Sequence, residues 1–194
     1  MDEDAKAARK ALITRIRNST KPTFWEKRPV FFLCPVCRNL VVQQTQKGER
    51  LEVSCCGQRL QPLVEHTGGA QAGEGADATD AGLALEHRLS VVVSGGFSSN
   101  AATITVGDEG AFHPMTQEHY IEWIYLYTFH GGQLRFLRPG GKVSQQARVV
   151  MALAEEDSYV YCDREVCKVC KFNCKRGFTA YAYCNVHGLW RFQL

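Results

Sequence analysis

FTAYAYCNVHGLW, residues 178–190, decides how the rest of the chain is read. FTAYAYC is a short aromatic run of β character. YCNVHGLW then sets Cys184 and His187 three residues apart, beside Gly188 and the rings of Tyr183 and Trp190. Such a pair is either packing or half of a metal site whose other ligands lie far upstream.

The β character extends upstream. LSVVVSG, ATITVG, HYIEWIYLYTF, QLRFLRPG, ARVVMALAEE and SYVYC are further β-branched and aromatic runs, separated by turn residues. With FTAYAYC they make seven short strands, and the chain reads as mainly β. Their spacing predicts an immunoglobulin-like, seven-stranded β-sandwich over residues 83–194. Before it, GGAQAGEGADATDAG holds no bulky apolar residue, so residues 66–82 read as a flexible linker. Residues 29–65 read as a small unit of short strands around a KGE turn. Residues 1–28 read as an N-terminal extension with a short helix, because Ala5, Ala8, Leu12, Ile13 and Ile16 fall at helical spacing.

Composition narrows the class. The 194 residues suffice for one or two domains with cores of their own. A net charge of +3 is too small to mark a nucleic-acid binder by itself. The apolar runs fall well short of a membrane span. The N-terminal MDEDAKAARK has no apolar core of the signal-peptide kind, so the chain reads as cytoplasmic, with neither nucleic-acid nor membrane partners. In that compartment the nine cysteines point to metal ligands or redox groups rather than disulfides.

The cysteines fall into groups. Cys34, Cys37, Cys55 and Cys56 suit a tetrathiolate site: a Cys-x-x-Cys turn aims two sulfurs at one point, and a second pair across a hairpin completes a tetrahedron. Four cysteines buried as small hydrophobes are the bland alternative. Ligand type leaves iron and zinc both open. His87, His113, His119 and His187, with Cys184, are the candidate donors of a mixed site. Imidazole suits iron, copper and zinc, and spacing alone does not join these five.

HPMTQEHYIEWI and YCNVHGLW closely resemble the two signatures of the superoxide reductases, desulfoferrodoxin and neelaredoxin. The segment holding Cys34, Cys37, Cys55 and Cys56 resembles the desulforedoxin-like domain that precedes the catalytic domain in desulfoferrodoxins. The resemblance implies that His87, His113, His119 and His187 are equatorial ligands of one iron, with Cys184 as axial thiolate and the sixth position open. It implies a second iron at Cys34, Cys37, Cys55 and Cys56. The implied activity is one-electron reduction of superoxide to hydrogen peroxide, a detoxification, with re-reduction by a rubredoxin-like donor protein. It also implies a homodimer.

Two departures from the family pattern stand out. Where the family has Glu-Lys-His, this chain has Leu85-Glu86-His87-Arg88. Glu86 is therefore the candidate cap of the oxidised iron, and Arg88 the candidate cation that draws in superoxide. The second departure is CDREVCKVCKFNCKRG, an insert at 162–177 without a counterpart in the ordinary pattern. Cys162, Cys167, Cys170 and Cys174 read as a third metal site, with a 4Fe–4S cluster first and zinc second. An alternative for the whole chain is a non-catalytic iron-binding electron carrier or redox sensor.

Overall fold

The computed structural model describes residues 28–44, 51–67, 78–94, 101–108, 110–128, 131–140, 146–153 and 179–193. The N-terminal extension up to residue 27 and the four-cysteine insert lie outside the described residues. None of the described helices is long and apolar enough to cross a membrane.

Two sheets form a sandwich. One contains β6 (Leu89–Ser94), β7 (Ala101–Asp108) and β11 (Arg148–Ala152), ordered β11-β7-β6, with the short β8 (Ala111–Phe112) paired to β7. The other runs β10 (Gly131–Phe136), β9 (Ile121–Thr128), β12 (Thr179–Cys184), β13 (Gly188–Gln193) and β5 (Glu65–Thr67). β7 follows the two-residue period of a half-buried strand. Ala102, Ile104 and Val106 point into the sandwich, while Ala101, Thr103 and Thr105 are partly exposed.

β9 and β12 break that rule because both their faces are covered. Ile121, Ile124, Leu126, Ala180, Ala182 and Cys184 belong to the core between the sheets. Trp123, Tyr125, Tyr127, Tyr181 and Tyr183 form a second, aromatic core on the other face. That face is covered by β1 (Val30–Leu33) and β2 (Leu40–Gln43), an antiparallel pair that inserts Phe31. Phe31 packs on Trp123 at 5.1 Å and Tyr181 at 4.9 Å between ring centroids. The run IEWIYLYT, apolar on both faces beyond Glu122, is therefore a two-faced strand, aliphatic toward one layer and aromatic toward the other.

Sequence and structure differ at three places. Ala78–Glu86 is a helix, α1, where the sequence reads as linker up to residue 82. Alanine and leucine favour helix, and Leu83 and Ala84 pack on the inter-sheet core, which compensates for Gly82. Glu65–Thr67, at the junction of the expected small unit and linker, is strand β5, paired in parallel with β13 at the edge of the large sheet. Finally, GLWRFQ is a strand that the seven-run count omits, whereas SYVYC lies outside the described residues.

Candidate metal centre

Every donor of the mixed site is held at the end of an element. α1 stops at Glu86, and the His87 N–H still donates to the Leu83 carbonyl at 3.1 Å. The His87 ring Nδ1 meets the same carbonyl at 2.8 Å. His113 follows β8, with its N–H on the Val106 carbonyl at 2.9 Å and its Nδ1 on the Pro114 carbonyl at 2.7 Å. Gly107, at φ +117°, lets that crossing happen, since a Cβ there would collide with the Ala111 carbonyl and the His113 N–H.

His119 sits in a turn closed by Thr116. The His119 N–H donates to Thr116 Oγ1 at 3.0 Å, and the Thr116 N–H donates back to the His119 carbonyl at 3.0 Å. Cys184 ends β12 where its register against β9 slips, so that Cys184 pairs with Ile121 after Tyr183 pairs with Trp123. Such a bulge re-aims the side chains beside it. A tight turn from Cys184 to Gly188, where φ is +79°, brings His187 back to the same point.

Asn185 ties the two halves together. Its Oδ1 accepts from the Tyr120 N–H at 2.8 Å, its Nδ2 donates to the Glu118 carbonyl at 2.8 Å, and its own N–H donates to the Tyr120 carbonyl at 3.1 Å. The turn bearing Cys184 and His187 is thereby fixed to the loop bearing His119. Sequence reasoning passed over Asn185, although it stands between the two donors of YCNVH.

The ligand atoms of His87, His113, His119 and Cys184 lie within 4.8 Å of one another. His187 joins them through Nδ1, 3.2 Å from His87 Nε2 and 3.7 Å from Cys184 Sγ. His87, His113 and Cys184 are buried, while His119 and His187 are partly exposed. The network fixes two tautomers. A carbonyl only accepts, so Nδ1 carries the proton in both His87 and His113, and both Nε2 atoms are bare. Those bare atoms face each other at 3.1 Å with no proton to share. The buried Nε2 of His119 also has no hydrogen-bond partner. Lone pairs converging in a buried place call for a cation, and spacings of 3.1 and 3.2 Å match two ligands at right angles on bonds of about 2.1 Å.

The electrostatics agree. Burial pushes the His87 and His113 imidazoles down to about 4, so both are in the neutral, ligating form at pH 7. His187 is lowered as well, chiefly by burial. Burial raises the Cys184 thiol, while the N–H groups of His187 and Val186 pull it back, the former at 3.4 Å from the sulfur. A buried thiolate then needs a cation beside it.

Glu86 and Arg88 flank His87. The Glu86 carboxylate lies 3.8 Å from His119 Nδ1, on the partly exposed side of the site. Arg88 is exposed, and its carbonyl accepts from the Gly107 N–H at 2.9 Å.

The second group is built differently. Cys34 follows β1, Cys37 belongs to the turn before β2, Cys55 ends β3 (Ser54–Cys55), and Cys56 turns toward β4 (Gln58–Arg59). Their sulfurs lie within 4.8 Å of one another, with Cys37–Cys55 at 3.5 Å and Cys55–Cys56 at 3.9 Å. Those values bracket the edge of about 3.8 Å expected for a tetrahedron with metal–sulfur bonds of about 2.3 Å. Arg38 and Cys56 take positive φ, 58° and 49°, to aim the pairs inward. The Cys37 and Val36 N–H groups help pull Cys34 down to about 6, while hydrogen bonds shared with Cys37 and Cys34 push Cys56 up to about 12. One thiolate forms readily, and four need a metal ion. The group therefore fits a metal, and the donor set does not choose between iron and zinc. Cys162, Cys167, Cys170 and Cys174 lie outside the described residues.

A β-sandwich with a buried imidazole–thiolate group, joined to a tetrathiolate unit, defines a metalloprotein with two sites of unlike chemistry. The chain belongs to the desulfoferrodoxin family, whose model matches residues 97–193. A desulfoferrodoxin of Desulfarculus baarsii is 27% identical over 82% of this chain and 92% of its own. The superoxide reductase of Pyrococcus furiosus is 36% identical over 40% of this chain and 62% of its own. Among solved structures, the superoxide reductase from Treponema pallidum is 25% identical, covers 86% of this chain and 98% of its own, and superposes with a TM-score of 0.55.

Proposed function

We infer that this chain is a superoxide reductase, an oxidoreductase in which superoxide gains one electron and two protons and leaves as hydrogen peroxide. The observation that carries the reading is the set of bare imidazole nitrogens converging on buried Cys184. Family membership and the superoxide reductases among its relatives support the choice of reaction.

His87, His113, His119 and His187 would hold iron through neutral nitrogens, and Cys184 through its thiolate. Iron so held supplies the electron, and the thiolate makes it a better donor. Five protein donors leave a position for a small anion. The chain's own residues set the rest. The Leu83 and Pro114 carbonyls lock two imidazoles, and Asn185 locks a third relative to the sulfur. Superoxide approaches on the partly exposed side, between His119 and His187. Glu86 caps that side in the resting oxidised state, and Arg88 supplies the positive field that the family's lysine gives elsewhere.

Cys34, Cys37, Cys55 and Cys56 would hold a second iron. The insert cysteines Cys162, Cys167, Cys170 and Cys174 hold a 4Fe–4S cluster, or zinc as the alternative. A rubredoxin-like protein returns the electron, and the protein works as a homodimer.

The test is to mix the anaerobically reduced protein with superoxide. Hydrogen peroxide should form with no dioxygen from the reaction itself. Dioxygen evolution, or no consumption of superoxide, contradicts the reading. For Arg88, the Arg88→Ala variant should lower the second-order rate with superoxide, and an unchanged rate removes it from that role.

A further inference from the structure

His66 and Trp190 have no part in holding either metal, yet they join the mixed site to the protein surface. His66 lies on β5, the edge strand of the large sheet, and is exposed. Parallel pairing puts it in register with Trp190 on β13. Its imidazole packs on that indole with ring centroids 5.1 Å apart and planes 34° apart. The same indole, 6% exposed, stacks on His87 at 4.6 Å and 16°. His87 is fully buried and faces His113 and His187 directly.

Among the described residues, Trp190 is the one ring other than histidine that stacks on an imidazole of the mixed site. Its buried indole N–H has no hydrogen-bond partner, so ring contacts rather than a polar anchor set its plane. A ring pressed between a surface imidazole and a buried donor suits electron transfer. Contacting π systems replace a gap that an electron would otherwise cross through saturated chain.

We propose that His66 and Trp190 are the electron inlet of the mixed site. The inference rests on reading that site as redox iron. One electron leaves a reduced one-electron carrier protein, which is oxidised by one. It passes His66, Trp190 and His87, which all end unchanged, and the iron that the mixed site would hold goes from ferric to ferrous. No bond breaks and no proton moves. Electrons thus enter through the buried ligand His87, leaving the partly exposed side at His119 and His187 to superoxide.

The test uses the full-length iron-loaded protein in a His130→Gln background, where His66 is the one histidine outside the proposed ligands. A pentaammineruthenium label on His66 is reduced by a flash, and arrival of the electron is read from bleaching of the Cys184 thiolate–iron absorption of the mixed site, with Cys37→Ser added to remove the tetrathiolate iron. Trp190→Leu should slow arrival at least about tenfold, equal to about 1.4 kcal/mol on the effective barrier. Trp190→Phe, which keeps a ring, should slow it less. Iron content, resting spectrum and midpoint potential are measured on each variant, so that a damaged site is recognised. If Trp190→Leu fails to hold iron, Trp190→Phe and unlabelled His66→Leu decide. His66→Leu, a surface change, should slow re-reduction by reduced rubredoxin with the superoxide step unchanged. Equal arrival rates in Trp190 variants with intact iron, or unaltered re-reduction in His66→Leu, overturn the inlet and make the stacking plain packing. Absence of superoxide reduction in the unlabelled parent would instead overturn the functional reading, and the flash experiment does not depend on it.

Discussion

The two metal groups of this chain are assembled by opposite means. The tetrathiolate group draws its four sulfurs from turns between Cys34 and Cys56, and two of its cysteines, Cys37 and Cys56, are exposed. The mixed group draws donors from the end of α1, the loop after β8 and the β12–β13 turn, and its deepest members are fully buried. A locally built site leans on its metal to hold its turns together, because among the described residues no carbonyl or side chain outside those turns aims its sulfurs. A site built by a sandwich is shaped before metal arrives: carbonyls and Asn185 already aim its donors. Removing a donor should therefore have different consequences in the two regions.

The largest effect is expected at Cys184. Cys184→Ser should abolish superoxide reduction and the thiolate absorption of the mixed centre, while the tetrathiolate metal stays bound, as read by metal content and spectrum. Retained activity would break the contrast. Next is Cys37→Ser, which should release the tetrathiolate metal and make residues 28–67 sensitive to protease, yet leave superoxide reduction in place. Asn185→Ala should weaken metal binding at the mixed site about 10–100-fold, the usual cost of losing an orienting partner, measured by chelator competition.

A smaller effect concerns pH. In metal-free protein, His87 and His113 stay neutral down to about 4, whereas unfolded histidine takes up its proton near 6.5. The unfolded chain then binds more protons between those values, so stability is full above about 6.5 and falls as pH drops toward 4. Denaturant melts at pH 7.5 and pH 5 should differ by on the order of 2 kcal/mol for each of the two histidines. The smallest effect is at Arg38, whose guanidinium bonds Glu122 at 2.6 Å and lies 5.9 Å from the Tyr183 ring centroid. Arg38→Ala should loosen the small unit from the sheet by about 1 kcal/mol, since the pair is partly exposed.

The candidate donors were legible as residue types, but His87, His113 and His119 were joined to Cys184 and His187 only by the family resemblance. Cys-x-x-Cys, a paired Cys55–Cys56 and YCNVHGLW carry their chemistry in their letters. The partners that orient them were not legible. Leu83 and Pro114 act through backbone carbonyls, which any residue supplies, and no letter marks them. Asn185 was visible but acts across 65 residues on Tyr120, a pairing that only the fold creates. The sandwich was legible from its runs of β-branched and aromatic residues. Its third layer was not, although the alternation of Trp123, Tyr125 and Tyr127 with Ile124 and Leu126 contained the hint. A run apolar on both faces asks for two covers, and the second is Phe31. Helix α1 was lost because alanine reads alike in linkers and in helices.

The superoxide reductase reading stands on one iron bound by four imidazoles and one thiolate inside the sandwich. X-ray absorption at the iron edge tests it most directly on protein carrying Cys37→Ser together with serine at Cys162, Cys167, Cys170 and Cys174, so that neither the tetrathiolate group nor the insert holds iron. At one iron per chain the expected shell is nitrogen donors with a single sulfur, and that sulfur should be lost when Cys184→Ser is added. A shell without sulfur, or a protein that binds no iron in the sandwich, would contradict it.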